Sequence, residues 1–153
     1  MNKFSQKLNS LADQFMVKLA AKKPAYYGVF LDPQSRSSLL SWWDSNVGKP
    51  LLAKPFAHHM TVKFKPSPED MSKYTPMIGQ SVKLKVTGYA ENENGQAVLV
   101  EPNGVDSDNA HPHVTVSCSE ATSPAYSKEL LSGGFTPVDG PVLIGTFDQF
   151  PRS

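Results

Sequence analysis

Two short segments of this chain repeat one another, "AHHMTVKF" around His59-Met60-Thr61-Val62 and "HPHVTVS" around His113-Val114-Thr115-Val116. Each sets a histidine and a threonine two positions apart in a run of strand-forming residues. Side chains alternate faces along a strand, so the histidine and threonine of each segment project from the same face, about 7 Å apart. One such face offers an imidazole beside a hydroxyl. Two such strands brought side by side offer a pair of acid–base groups and a pair of hydroxyl donors around one small anion.

Opening a P–O bond needs one group to take a proton from the nucleophile and another to give one to the leaving oxygen. Histidine does both near neutrality. Threonine hydroxyls can hold the non-bridging oxygens, where charge grows in the transition state. The duplicated motif therefore encodes base, acid and oxyanion clamp, the equipment for cleaving a phosphodiester without a metal. By continued alternation Lys63 and Ser117 follow Thr61 and Thr115 onto the groove face, Lys63 either as a further phosphate contact or as a solvated strand end. All four histidines lie in or beside the motifs. Alternation sends His58 to the face opposite His59, and His111 shares the parity of His113 across Pro112. Adjacent strand residues diverge, and neither a thiolate nor a carboxylate cluster stands nearby, so neither a metal nor another cofactor is expected.

The chain has 153 residues, enough for one domain and its core. A net charge of +1 argues against a grip on long duplex nucleic acid and favours a small nucleotide or a strand end. The single cysteine, Cys118, has no internal disulfide partner; buried packing in a reducing compartment is expected. No apolar run reaches bilayer length, and the N-terminus lacks the core of a secretion signal, so the expectation is a cytoplasmic protein without a membrane partner. The oligomeric state stays open.

Residues 1–23 space Phe4, Leu8, Leu11, Phe15 and Leu19 as a helical stripe, an amphipathic helix expected to pack on a single domain over 24–153. "AYYGVFLD" predicts a strand over 25–32, and "PQSRSSLLSWWDSNV" a helix with Leu39, Leu40, Trp43 and Val47 on one face, leaving Trp42 off it. Residues 65–79 read as loop with at most a short helical turn. "SVKLKVTGYAE" and "QAVLVE" form a hairpin across Asn94-Gly95. "SPAYSKELLSGG" predicts a serine-capped helix stopped by Gly133-Gly134, and 141–150 a last strand. Tyr27, Tyr126, Phe147 and Phe150 are each either core or part of a platform on which a base could stack.

The paired motifs, with "HHMTVKFKP", "GQSVKLKVTGYAENENGQAVLVE" and "SPAYS" around them, resemble the two-histidine (2H) phosphoesterase superfamily over about residues 25–150. That superfamily includes LigT-type RNA enzymes, RNA cyclic phosphodiesterases and phage nucleases that destroy cyclic-nucleotide immune signals; the texture here is similar to its RNA-repair branch. The resemblance implies an α+β, bilobal fold of two antiparallel sheets with pseudo-two-fold symmetry about a groove. It implies metal-independent hydrolysis with His59 and His113 as the acid–base pair and Thr61 and Thr115 as phosphate-binding hydroxyls. It leaves open which histidine is the base. It also leaves open whether the substrate is a 2′,3′-cyclic phosphate, a 2′–5′ or 3′–5′ linkage, or a cyclic signal degraded in counter-defence. A non-catalytic nucleotide-binding module, or a protein that works through its N-terminal helix, would keep these residues for other ends.

Overall fold

A computed structural model describes residues 23–151. The amphipathic helix expected at the N-terminus lies outside the described residues. Strand β1 (Tyr26–Leu31) carries the aromatic and branched residues that favour an extended chain. Asp32 then caps helix α1 (Pro33–Trp42) by accepting from the Ser35 amide at 2.6 Å, with Pro33 preset in the first turn. The helix runs into a π-helical turn, Trp43–Val47, and stops on Gly48, whose φ of 71° only a glycine adopts at low cost. A two-residue strand β2 (Lys54–Pro55) precedes the first motif strand, β3 (His59–Phe64).

Helix α2 (Pro68–Tyr74) occupies a stretch expected to be mostly loop. Ser67 accepts from the Asp70 amide while the Asp70 carboxylate accepts from the Ser67 amide, a reciprocal cap that satisfies two end donors and fixes the helix. The long hairpin of β4 (Ser81–Glu91) and β5 (Gly95–Asn103) turns through Asn92, whose side-chain oxygen accepts from the amides of Asn94 and Gly95. The second motif strand is β6 (His113–Cys118). Helix α3 (Tyr126–Ser132) starts later than its serine suggests, with Ala125 at the cap position and no side-chain cap. Strands β7 (Thr136–Pro137) and β8 (Val142–Phe150) complete the described chain.

Every pairing is antiparallel. The order β6-β3-β1-β8-β4-β5 returns to β6 through a β5–β6 pairing, so six strands close a ring, with β2 added on β6 and β7 on β4. The α+β class and antiparallel pairing agree with the sequence reading. The expected pair of separate sheets is replaced by one continuous sheet. The reason is the second motif strand: it zips along β5 from Gly95 to Leu99 and also touches β3 at Met60–Val114, so the halves join and the two motifs become neighbours.

The residues between motif positions go to the core. Met60, Val62, Val114 and Val116 are fully buried with Val29, Leu84, Val98 and Phe147, and Leu39 and Trp43 of the α1 region and Tyr74 of α2 pack against them. Each such side chain withdrawn from water stabilises by about 1.5–3 kcal/mol. This burial pins the register that brings the intervening histidines and threonines to the opposite face. No helix among the described residues is long and apolar enough to cross a membrane.

Candidate active-site groove

The motif faces of β3 and β6 open into one groove of about 410 Å³. His59, Thr61, His113 and Thr115 all line it, joined by His58 and Lys128. Tyr26, Phe56 and Phe64 form apolar wall, while Asn109, Pro124 and Ala125 come from the loops that frame β6. Gly28 makes the close approach of β1 and β3 possible: it stands opposite Thr61, and a Cβ there would sit 2.7 Å from the Met60 carbonyl oxygen and 3.6 Å from His59 Cδ2.

His113 donates from Nδ1 to the His111 carbonyl at 2.9 Å. A carbonyl only accepts, so this bond fixes the proton on Nδ1 and leaves Nε2 as the nitrogen free for a ligand. Burial lowers the His113 pKa; the bond to the His111 carbonyl opposes that drop, and Lys128 and His111 reinforce it. The His59 ring packs against two neighbouring rings of β1, Tyr26 at 4.9 Å and Phe30 at 5.4 Å between ring centres, and its Nδ1 lies 3.0 Å from Nδ1 of His58. Burial, then the charges of His58 and His113, pull its pKa from 6.5 to about 4. At neutral pH His59 is therefore uncharged in the free protein, and the downward shift of His113 favours its neutral form as well.

Thr115 is held by a buried hydroxyl–hydroxyl bond of 2.7 Å to Ser127, on the first turn of α3, and that turn also brings Lys128 to the groove rim. Thr61 is held through its backbone: its carbonyl accepts from Ser107 Oγ at 2.9 Å and Asn109 Nδ2 at 3.5 Å, and the next carbonyl, of Val62, accepts from the Asp108 amide. The mirror arrangement holds the second motif, where the carbonyls of Thr115 and Val116 accept from the amides of Ala57 and Phe56. Each motif strand is thus tied to the segment leading into the other.

Lys63 and Ser117 do not reach the groove. Pairing with β1 slips by one residue between Thr61 and Lys63, and pairing of β6 with β5 slips by one between Thr115 and Ser117, so each strand carries an extra residue, Val62 or Val116, directly after its threonine. The bulge resets the alternation. Phe64 takes the groove position opposite Tyr26, and Lys63 turns to an ion pair with Asp108 at 3.1 Å. Ser117 is fully buried, donating to Gln96 Oε1 at 2.5 Å and accepting from the Leu52 amide at 3.0 Å.

The aromatic assignments are corrected as well. Tyr27 is fully buried, stacked on Phe147, with its hydroxyl bonded to Thr75, and Phe147 is equally buried; both are core. Tyr126 packs over Gly95, away from the groove, and accepts from Asn92. The groove aromatic of β1 is Tyr26, which stacks on Phe150 at 5.2 Å; Phe150 and Phe64 remain 44% and 59% exposed. His58, expected to face away, lines the groove because it precedes the strand and follows Ala57, whose φ of 52° breaks the alternation. His111 packs on Phe135 and contributes its carbonyl instead of its ring. Cys118 is buried, as expected. Among the described residues no group of three or more His, Cys, Asp or Glu is set to hold a metal ion. Lys128, Asn109 and Tyr26 were missed by the sequence reading, since nothing local marks them.

No family model and no curated protein matches the chain. Among solved structures the fold is similar to the crystal structure of a fungal RNA kinase, with a TM-score of 0.54 and 15% sequence identity. The match covers 82% of this chain and 42% of the other, so this chain spans less than half the length of that protein. At such identity the likeness concerns the fold.

Proposed function

We propose that the groove is the active site of a two-histidine phosphodiesterase acting on 2′,3′-cyclic phosphates or 2′–5′ or 3′–5′ linkages at RNA ends, in small oligonucleotides or in cyclic nucleotides. The observation that carries this reading is the delivery of both histidine-threonine faces, from strands far apart in the chain, to one groove. In the reaction one histidine takes the proton of the attacking water or ribose hydroxyl through Nε2, and the other protonates the leaving ribose oxygen. The hydroxyls of Thr61 and Thr115 donate to the non-bridging oxygens, with Lys128 countering their charge from the rim. Burial favours the uncharged form of both histidines; an entering phosphate anion favours protonation of one of them and so prepares the acid.

The groove volume suits a nucleotide and not a duplex. Tyr26, Phe64 and Phe150 offer faces on which a base can stack without sequence readout. The resemblance of the motifs to the two-histidine superfamily supports the same chemistry, and the similar solved structure, that of an RNA kinase, supports an RNA ligand. The test is an EDTA-treated incubation with 2′,3′-cyclic mononucleotides, short 2′–5′ and 3′–5′ oligonucleotides and cyclic dinucleotides, read by mass spectrometry. Wild type should cleave at least one class, and His59→Ala and His113→Ala should each lower its turnover about 10²–10⁴-fold. Consumption of cyclic dinucleotides alone would redirect the reading to signal destruction. Saturable binding without product, unchanged in both variants, would replace the enzyme by a binding module.

A further inference from the structure

We infer that His58 is a positioning residue for His59: its Nδ1 accepts from His59 Nδ1–H and so aims Nε2 of His59 at the substrate. The inference rests on the proposed reading of the groove. Its starting point is an asymmetry between the two motifs. Nδ1 of His113 is engaged by the His111 carbonyl at 2.9 Å. Nδ1 of His59 meets a ring nitrogen instead, Nδ1 of His58 at 3.0 Å, with the two rings perpendicular at 89°. In both cases the Nδ1 side is occupied from the residue one or two positions earlier, and the far nitrogen is left for a ligand.

Backbone geometry builds the contact. The left-handed Ala57, with its amide on the Thr115 carbonyl, swings His58 onto the groove side, and the His58 carbonyl accepts from the Leu31 amide at 3.0 Å. Phe30 packs edge-on against His58 at 5.5 Å and stacks on His59 at 5.4 Å, so one ring seats both imidazoles. With its proton on Nδ1 and bonded to His58, His59 can take a second proton on Nε2 or give it up without turning its ring, which is what an acid–base group needs.

Unlike a carbonyl, an imidazole nitrogen can itself hold a proton. A proton on His58 Nδ1 cancels the acceptor and forces His59 into the opposite tautomer, so the pair works with at most one extra proton. Among the described residues, Tyr26 on β1, His113 on β6 and Lys128 on α3 are titratable or charged groups that share the groove with the pair; beyond its lining, Asp148 on β8 stands opposite Gly28, and Arg36 on α1 donates from Nε to the Phe56 carbonyl.

The experiment pairs ring-nitrogen NMR of the free protein with kinetics, in wild type, His58→Ala and His58→Asn; the asparagine amide oxygen can accept where Nδ1 did. Wild type and His58→Asn should hold neutral His59 as the Nδ1–H tautomer, and His58→Ala should revert toward Nε2–H. Turnover should fall about 10–100-fold in His58→Ala, the range found when a group orienting a metal-bound histidine is removed, with KM little changed. His58→Asn should recover most of it and shift the pH-profile limb governed by His59 to higher pH, because a neighbouring charge that lowers its pKa is gone. An Nε2–H tautomer in wild type, or a tautomer and pH profile indifferent to both substitutions, overturns the inference. Because the NMR reading needs no substrate, failure of hydrolysis in wild type would count against the proposed function without touching the tautomer result.

Discussion

Folding pulls His59 from an ordinary pKa of 6.5 to about 4, first by burial and then by the neighbouring His58 and His113. The unfolded chain therefore binds this proton more readily than the folded one. Above pH 6.5 both states are deprotonated at this position and the linkage costs nothing; as pH falls from 6.5 toward 4, protonation increasingly favours the unfolded state. The full loss corresponds to roughly 3 kcal/mol, most of it reached by pH 4.5. Burial of His113 lowers its pKa too, but that contribution and those of the carboxylates remain when His59 alone is replaced. Urea unfolding of wild type and His59→Gln at pH 7.5 and 4.5 isolates the effect. Wild type should lose about 2–3 kcal/mol more than the variant between the two pH values. Parallel losses would mean that His59 titrates normally in the fold, and the account of a desolvated, uncharged imidazole in the groove would fail.

Ser117→Ala leaves the buried Gln96 Oε1 and the Leu52 amide without their partner, so it should cost about 1–3 kcal/mol in denaturant unfolding with turnover per folded molecule unchanged; lost turnover at full stability would return Ser117 to the groove. Gly28→Ala drives a Cβ to within 2.7 Å of the Met60 carbonyl, and because backbone must yield, stability should fall by about 1–3 kcal/mol and turnover with it through displacement of His59. An alanine variant that melts and turns over like wild type would show that the β1–β3 approach is looser than described.

Much of the fold was legible where a signal is local. Aromatic and branched runs marked β1, β3, β4, β5, β6 and β8, and Pro33 after Asp32 marked the start of α1. Helix α2 could have been read from Ser67-Pro68-Glu69-Asp70, a cap, a first-turn proline and an acidic N3; Pro66 and Pro76 on either side of it, with its polar face, masked it as a loop. The two-residue strands β2 and β7 carry no pattern that a sequence can show. Ring closure was hidden for a different reason. It depends on β6 meeting both its chain neighbour β5 and the distant β3, and the second of these pairings is a matter of tertiary geometry.

The site illustrates how far a period of two can be trusted. It held from histidine to threonine in both motifs and failed at the next step in both, because each strand inserts one residue just after its threonine. A bulge is not written in the valine that forms it; Val62 and Val116 look like any strand residue. What stabilises the extra residue is remote: the loop at 107–109 takes the carbonyls of Thr61 and Val62, and residues 56–57 take those of Thr115 and Val116. The same bonds that divert Lys63 to Asp108 and sink Ser117 against Gln96 therefore couple each motif to the approach of the other. Histidine and threonine are the last positions that local alternation controls, and beyond them the groove is shaped by long-range contacts, which is why the paired histidines and threonines were legible and the basic and aromatic residues that line the groove beside them were not.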